Sequence, residues 1–460
     1  MCGVEPYPGF ESLTLRQTKT RGPQQAARVS SEAMKNRRLA IIFAVVLVEM
    51  LAFSIVLPLL PYLAGEIGAS KMQIGLLLAA YPLAQLFGGP LLGGLSDRFG
   101  RKPVLIASII GTGISFVVLA LARALPILFV SRLIDGVTGG NISVSQAYIA
   151  DVTDERDRGR ALGMIGAAFG LGFILGPVSG GLLSGISYTA PAWAGAGLSV
   201  VNLLLVTFLL PESLSPEARA RLAARKRKVF DIAALRAGLA HNRVGPLLTI
   251  RSVTTLGQAT FENTFSLWAI AALAVTARVN GMLLGYVGVL SVIIQAFLIG
   301  RLTKRFSDDY LLLGAVALGG VALLLWGFVP NIPLLLLLMP AISLGLAVNN
   351  TTLTSALTKA VDRDEVGGIL GIQTSIQSFG RVLGPVIGGF LLERATVWSP
   401  GLLAGTLGLA MVPYAWKTLC IRPGQRACTE PLGTDAALAE LVPVEPVLAE
   451  SALGESREGA

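Results

Sequence analysis

The sequence predicts an all-α membrane protein with twelve transmembrane helices in two six-helix bundles. Hydrophobic residues fill 53% of its 460 positions and charged residues only 14%, whereas soluble proteins carry about 25% charge. The apolar residues come in runs of about 20, the length of helix that crosses a hydrocarbon core of about 30 Å. In addition, GFILGPVSGG at 172–181 recurs as GRVLGPVIGG at 380–389, which indicates two related halves.

Twelve apolar runs predict the spans in chain order. Their approximate limits are 39–64, 72–95, 103–122, 126–149, 160–184, 190–210, 246–273, 281–300, 310–329, 332–358, 366–392 and 398–416. The predicted organisation is a disordered N-terminal tail, a first bundle, a basic central loop, a second bundle and a disordered C-terminal tail, at 1–38, 39–211, 212–245, 246–418 and 419–460.

The basic residues predict the topology. Most of the 37 Lys and Arg lie in the two tails, the central loop and every second short loop, whereas the alternate loops hold only Lys71, Arg123, Arg278 and Arg394. Short loops on the cytosolic side of a membrane are enriched in Lys and Arg, so we expect both termini in the cytosol. The net charge of +9 is then explained by topology, so no nucleic-acid partner is expected. We expect a multi-pass protein of the plasma membrane.

Several kinds of site are excluded. His241 is the only histidine, and all three cysteines, Cys2, Cys420 and Cys428, lie in the predicted tails, so we expect neither a metal site nor a cofactor. The sequence has no phosphate-binding loop of the GxxxxGK type, which argues against direct driving by ATP. No nucleophile and base are paired, and we do not expect an enzyme.

The repeats fix the relation between the halves. The ten-residue pattern lies in the fifth helix of each half, and LSDRFG at 95–100 is echoed by LTKRFS at 302–307 between the second and third helices. Parallel six-helix repeats are typical of transporters with a substrate site at the membrane midplane between the halves. One chain supplies both halves, so we expect a functional monomer.

The stretch GGLSDRFGRKP at 93–103 resembles the signature loop of the major facilitator superfamily. That resemblance implies a cytoplasmic gate, in which the loop carboxylate engages the cytoplasmic end of the eleventh helix. The gate residues are then Gly93, Asp97, Arg98, Gly100 and Arg101. The fifth-helix pattern is similar to the motif of the superfamily's antiporters. Its small residues allow close helix packing and its prolines allow bending. The predicted packing residues are Gly172, Gly176, Pro177, Gly180, Gly181, Gly384, Pro385 and Gly388.

A narrower resemblance is carried by AYIADVTDERDRGRALG at 147–163 and LSDRFGRKPVLIAS at 95–108, which look like the tetracycline efflux proteins that exchange drug for protons. Those proteins carry an acid nine residues before a proline in the first helix, as Glu49 stands before Pro58. Their acids in the third and ninth helices match Ser115 and either Leu318 or Gly319. These two departures argue against a metal-chelated drug as substrate.

Charged residues inside spans are costly and are usually functional. The candidates for proton coupling or substrate binding are Glu49, Glu262, Arg132, Asp135 and Arg381. Glu49 could instead be a structural partner of a basic group, and Arg132 with Asp135 could be a local ion pair. Arg381 could pair with Glu49 or Glu262 or bind an anionic substrate. Arg251 is expected to snorkel towards the cytoplasm.

Polar and aromatic residues predict a cavity for an amphipathic organic molecule, although each could equally be a helix-packing contact. These residues are Tyr81, Gln85, Gln258, Phe261, Trp268, Asn349, Asn350, Gln373 and Gln377. The predicted function is proton-coupled export of a drug or metabolite by alternating access, with a small organic substrate, protons and the lipid bilayer as partners. The alternatives are a proton symporter or uniporter for a nutrient such as a sugar or organic anion, and a receptor or chaperone that moves nothing.

Overall fold

The computed structural model describes residues 23–223, 244–361 and 366–420, and the regular elements there are helices. We number them α1 to α12 after the predicted spans. In the first half these are α1 (Pro23–Val56 and Leu60–Glu66), α2 (Lys71–Phe99), α3 (Arg101–Ala120), α4 (Leu125–Thr138 and Asn141–Val152), α5 (Glu155–Leu183) and α6 (Ala190–Leu204). In the second half they are α7 (Val244–Leu273), α8 (Ala277–Ile293 and Ile299–Arg305), α9 (Asp308–Trp326), α10 (Ile332–Lys359), α11 (Val366–Arg394) and α12 (Ser399–Ala415).

Within the described ranges, nine helices are long and apolar enough to cross a membrane. The other three predicted spans, α4, α7 and α12, are also helical but fall outside that set. Local sequence explains the interruptions in the first half. A short 3₁₀ turn, Leu57–Leu59, divides α1 at Pro58, where the ring removes a backbone donor. The pair Gly139 and Gly140 divides α4.

Two of the predicted boundaries need correction. The described part of α1 begins at Pro23 and not at residue 39, so the segment 23–38, predicted to be disordered, is helical. Proline suits the first turn of a helix, because its missing N–H would have no partner there. The predicted central loop contains a short helix, Pro216–Ala223. Residues 224–243 of that loop and residues 1–22 and 421–460 of the tails lie outside the described residues.

The two halves meet along α2 with α11 and α5 with α8, at the end of the bundle that holds the start of α2. We call this the Lys71 end, and the opposite end, with the start of α3, the Arg101 end. At the Lys71 end Gly75 touches the backbone of Pro385 and Gly389, and Gly181 lies opposite Gly281. The main hydrophobic cluster there draws residues from both halves. Separate clusters fill the Arg101 end of each half.

The hydrogen bonds between the halves, among the described residues, lie at the Lys71 end. Tyr62 donates to the carbonyl of Val275 at 2.9 Å, and Asn280 Nδ2 donates to the carbonyl of Pro58 at 3.2 Å. Lys71 Nζ donates to the carbonyl of Leu392 at 3.1 Å. These contacts join backbone and side chains across the interface, so the Lys71 end is closed.

Towards the Arg101 end the same helices separate. A Cβ added at seven glycines on the Arg101 side of these four helices would meet no atom within 4 Å, in contrast to the tight contacts near Lys71. The glycines are Gly89 and Gly94 on α2, Gly163 and Gly166 on α5, Gly300 on α8, and Gly368 and Gly371 on α11. The two halves therefore enclose a cleft that is open at the Arg101 end.

Candidate substrate and proton site

Glu49 lies inside the first half, and its side chain is directed between α1, α4 and α6. It is 8% exposed, and Asn202 Nδ2 donates to its Oε2 at 2.9 Å. Beside it is a cavity of about 10 Å³, also lined by Asn141 and Ser145, roughly the space of one water molecule. No basic residue among the described ones pairs with Glu49. The carboxyl group is therefore held by the Asn202 amide, with no cation of the described segments bonded to it.

Arg132 and Asp135 form the ion pair that their spacing predicts. Arg132 Nη1 lies 3.2 Å from Asp135 Oδ2, and the two side chains are only 2% and 3% exposed. The guanidinium carbon of Arg132 lies 6.0 Å from the centre of the Phe116 ring, a cation–π contact. The pair is neutral as a unit, which lowers the cost of burying both charges.

The second half carries a chain of polar contacts between α7 and α10. Arg251 Nη1 donates to Asn350 Oδ1 at 2.7 Å, and Asn350 Nδ2 donates to Gln258 Oε1 at 3.3 Å. Gln258 Nε2 then donates to Glu262 Oε1 at 2.7 Å. Two amides thus connect Arg251 to Glu262. The expectation that Arg251 snorkels was wrong, because its side chain is 1% exposed and is held by Asn350.

Two further predicted cavity residues on this side bond within the second half. Asn349 is buried and donates to Thr254 Oγ1 at 3.3 Å, and Gln373 donates to Thr354 Oγ1 at 2.8 Å. Gln377 is half-buried on α11. In the first half, Gln85 Nε2 donates to the hydroxyl of Tyr81 and to the carbonyl of Gly139, both at 3.0 Å.

Arg381 lies near the middle of α11 and is exposed. It forms no ion pair with Glu49, Glu262 or any other described residue. Its guanidinium group does lie within electrostatic range of Tyr81 in the first half and Arg251 in the second. Within the described ranges, Arg381 is therefore a cation without a carboxylate partner.

The prediction that Phe261 and Trp268 line the cavity was wrong. Their side chains are 5% and 0% exposed, and both pack on Trp326 with ring centroids 4.9 Å apart. This aromatic cluster stabilises the interior of the second half. The sequence did not indicate which face of α7 is buried, because α7 is apolar on more than one face. A membrane helix has apolar neighbours both in lipid and in protein.

At the Arg101 end the signature loop forms a network within the first half. Arg101 Nη1 lies 2.7 Å from Asp97 Oδ1, and Arg101 Nε lies 3.0 Å from Asp151 Oδ2. Gly93 accepts a hydrogen bond from the Ser96 hydroxyl. Arg98 is exposed, and its guanidinium carbon lies 5.4 Å from the Phe99 ring centre.

Glu212 and Asp151 complete this network and were not predicted as site residues. The two Glu212 oxygens accept from the backbone N–H groups of Arg101 and Lys102 at 2.9 and 3.1 Å, which satisfies free donors at the start of α3. Gly100 has φ +106°, and a Cβ there would lie 2.5 Å from Glu212 Oε2. This position therefore requires glycine.

The repeated glycines lie at helix contacts in both halves. Gly172, Gly176 and Gly180 pack against α1, while Gly384 and Gly388 pack against α7. Pro177 and Pro385 each contribute a backbone carbonyl to the contact between the halves, opposite Gly281 and Gly75 respectively. Each repeat therefore touches its own half on one face and the other half on another.

An all-helical, multi-pass membrane protein with two similar halves around a cleft that contains charged residues is a transporter rather than an enzyme. The chain belongs to the Major Facilitator Superfamily, whose family profile matches residues 42–257 and 247–435. This match confirms the family that the signature loop indicated.

The curated relatives include two proteins named for drug resistance. The class C tetracycline resistance protein of Escherichia coli is 33% identical over 82% of this chain and 94% of its own length. Multidrug resistance protein 2 of Bacillus subtilis (strain 168) is 27% identical over the same shares of the two chains. Solute carrier family 22 member 18 of Mus musculus is 29% identical over 80% of this chain and 93% of its own.

Solved structures agree in fold. The human organic anion transporter MFSD10 (TETRAN) matches with a TM-score of 0.62 and 24% identity, over 83% of this chain and 99% of that one. The nucleoside transporter NupG matches with a TM-score of 0.70 and 15% identity over the same shares. The predicted all-α architecture of the superfamily is confirmed by these matches.

Proposed function

We propose that this protein exports a small organic compound in exchange for protons, by alternating access of a cleft between the two bundles 39–211 and 246–418. The observation that carries the proposal is Glu49, a buried carboxyl group that lies beside a water-sized cavity and bonds the Asn202 amide, with no cation bonded to it in the part of the chain that the structure describes. A buried carboxylate without a positive partner is costly. In this closed environment Glu49 is best accommodated with a bound proton.

The ion pair of Arg132 and Asp135 supports the same role. It lies in the same bundle, and Asp135 is within electrostatic range of Glu49. Burial away from water disfavours a negative charge on Glu49, and the nearby Asp135 disfavours it further. Entry of water into this bundle would therefore change the charge that Glu49 can carry. Release of the proton from Glu49 would then accompany the movement of the halves.

The predicted topology gives the direction of access. If both termini are cytosolic, the Arg101 end faces the cytosol and the structure is an inward-open state. A compound would enter the cleft from the cytosol, and the network of Asp97, Arg101 and Asp151 would form part of the gate that closes behind it. One chain carries the cleft, so a monomer suffices.

The names of two relatives support export over uptake. The matched proteins of Escherichia coli and Bacillus subtilis are named for tetracycline and multidrug resistance. By that likeness, the compound exported by this chain is a drug or an amphipathic metabolite, and its membrane is the plasma membrane.

The test is accumulation of fluorescent drugs and dyes in efflux-deficient cells that express the chain, with and without a protonophore. Glu49→Gln replaces the titrating carboxyl group with an amide of nearly the same shape. Glu66→Gln is the matched control, because Glu66 is exposed near the Lys71 end of the same helix.

Proton-driven export predicts lower accumulation in cells with the wild-type chain. The protonophore and Glu49→Gln should each restore accumulation, and Glu66→Gln should leave export unchanged. Raised accumulation would instead indicate uptake. Export that persists with Glu49→Gln would exclude Glu49 as the proton carrier.

A further inference from the structure

Arg381 occupies a defined position on the inner face of α11. Gly380, Gly384 and Gly388 face α7, whereas Pro385 and Gly389 face α2 in the other half. At 3.6 residues per turn, Arg381 lies between these two stripes. Because α2 and α7 are the helices that flank the cleft on this side, Arg381 projects into the cleft near the middle of the membrane.

The charge balance of the second half favours an anion there. Its mid-membrane charges are Arg251, Arg381 and Glu262, two cations against one carboxylate. Glu262 is already engaged by Gln258, and Arg251 by Asn350. The exposed guanidinium of Arg381 thus has five donors and no carboxylate partner among the described residues.

The first half lines the cleft with aromatic side chains. We call Phe53, Tyr81, Phe169 and Phe173, from α1, α2 and α5, the aromatic wall. The ring centroids of Phe53 lie 4.9 Å from Tyr81 and 6.4 Å from Phe173, and Phe169 lies 6.4 Å from Phe173.

The aromatic wall faces Arg381. Gly172 and Gly176 of α5 face α1, while Ile174 and Val178 contact the glycines of α8. Phe173 lies between these two stripes and is 37% exposed, so it points into the cleft. Tyr81 lies within electrostatic range of Arg381. A cation and an apolar aromatic surface thus border one space.

We infer that the substrate of this transporter is an amphipathic organic anion, whose carboxylate or sulfonate binds Arg381 while its apolar or aromatic body packs on the aromatic wall. This inference rests on the proposed function for its site. A guanidinium group binds a carboxylate through two parallel hydrogen bonds, which gives orientation as well as affinity. An aromatic body can stack on the exposed Phe173 ring without a further charge.

The experiment measures saturable binding of radiolabelled 2-naphthoate to the purified full chain in lipid nanodiscs. Arg381→Gln should weaken binding by about tenfold or more, the effect of losing a charged hydrogen-bond partner. Arg381→Lys keeps the positive charge and should recover most of the affinity. Arg394→Gln is the matched control, because Arg394 is exposed at the Lys71 end of the same helix.

Two competitors test the chemistry of the site. The uncharged 2-naphthamide should compete about tenfold less well than 2-naphthoate, because it lacks the anionic group. Acetate, which lacks the aromatic body, should not compete at the same concentration. Phe173→Ala should weaken 2-naphthoate binding, and thermal melting of each variant verifies that it is folded.

The inference is overturned if the wild-type protein shows no saturable binding of 2-naphthoate, or if folded Arg381→Gln binds it as wild type does. Uptake of 2-naphthoate into everted vesicles under an imposed pH gradient separates this result from the fate of the proposed function. Binding at Arg381 without proton-driven uptake would remove proton-coupled export and leave the anion site. Proton-driven transport of dyes by a chain that does not bind 2-naphthoate would remove the anion site and leave proton-coupled export.

Discussion

Closure of the Lys71 end depends on glycine at position 281, and Gly281→Val tests this directly. A Cβ at Gly281 would strike the carbonyl oxygen of Pro177 and lie 2.9 Å from the Cα of Gly181. Both neighbours are backbone atoms of α5, so no side chain can turn aside. Because carbon atoms in contact lie about 3.5 Å apart or more, α5 and α8 must separate by at least about 0.6 Å.

The size of the effect follows from packing. Inserting methyl groups into a close-packed contact costs about 1–3 kcal/mol, and opening the Lys71 end removes this strain. A difference of about 2 kcal/mol between the closed and open states changes their ratio about 30-fold. We therefore expect Gly281→Val to populate a conformation that is open at the Lys71 end.

The assay is a distance distribution between spin labels at Glu66→Cys and Arg394→Cys, two exposed positions at the Lys71 end of different halves. The native cysteines are first replaced by serine. Wild type should give a single short distance, and Gly281→Val should add a longer one.

Gly314→Val in α9 is the control, because a Cβ at Gly314 meets no atom within 4 Å. A folded Gly281→Val protein with the wild-type distribution would refute the reasoning. So would an equal shift in Gly314→Val.

Two further predictions concern stability, measured as the melting temperature by far-UV circular dichroism. Arg132→Gln leaves Asp135 charged and buried, and should lower the free energy of unfolding by about 3–5 kcal/mol. The double variant with Asp135→Asn should recover part of this stability. An equal loss of stability in the single and double variants would contradict the prediction. Trp326→Ala empties a site with 0% exposure and should cost about 3–5 kcal/mol. Trp398→Ala, at a position 41% exposed, should change stability by less than about 1 kcal/mol; equal effects of the two tryptophan variants would show that the cluster around Trp326 is not a core.

The helical spans and the close glycine contacts could be predicted because their causes are local. A run of about 20 apolar residues suffices to indicate a span, and a glycine repeat suffices to indicate close helix packing. The pair of Arg132 and Asp135 was equally accessible, since residues three apart share a helix face.

Other features depend on tertiary structure. Glu212 reaches the start of α3 across 111 positions of sequence, and nothing in its neighbourhood marks it as a capping residue. Whether Trp268 faces the cleft or the bundle interior depends on how α7 is rotated against its neighbours. An apolar residue carries no information on that rotation when lipid and protein are both apolar.

The partners of Glu49 were not predicted either. Asn202 belongs to α6, 153 positions away, and the small cavity nearby exists only once α1, α3 and α4 are packed together. The sequence indicated a functional carboxyl group, because such a group in a span is costly, but not that the Asn202 amide would hold it.

The break in α1 has a consequence for the energetics of opening. The carbonyl of Pro58 receives its hydrogen bond from Asn280 of the other half, and Asn280 Nδ2 also bonds Ser266 at 2.9 Å. When the halves part, that carbonyl loses the Asn280 donor, and hydrocarbon offers no replacement for it. Water must therefore enter the widening gap as it forms, and lowering the water activity with an excluded osmolyte should hold the Lys71 end shut.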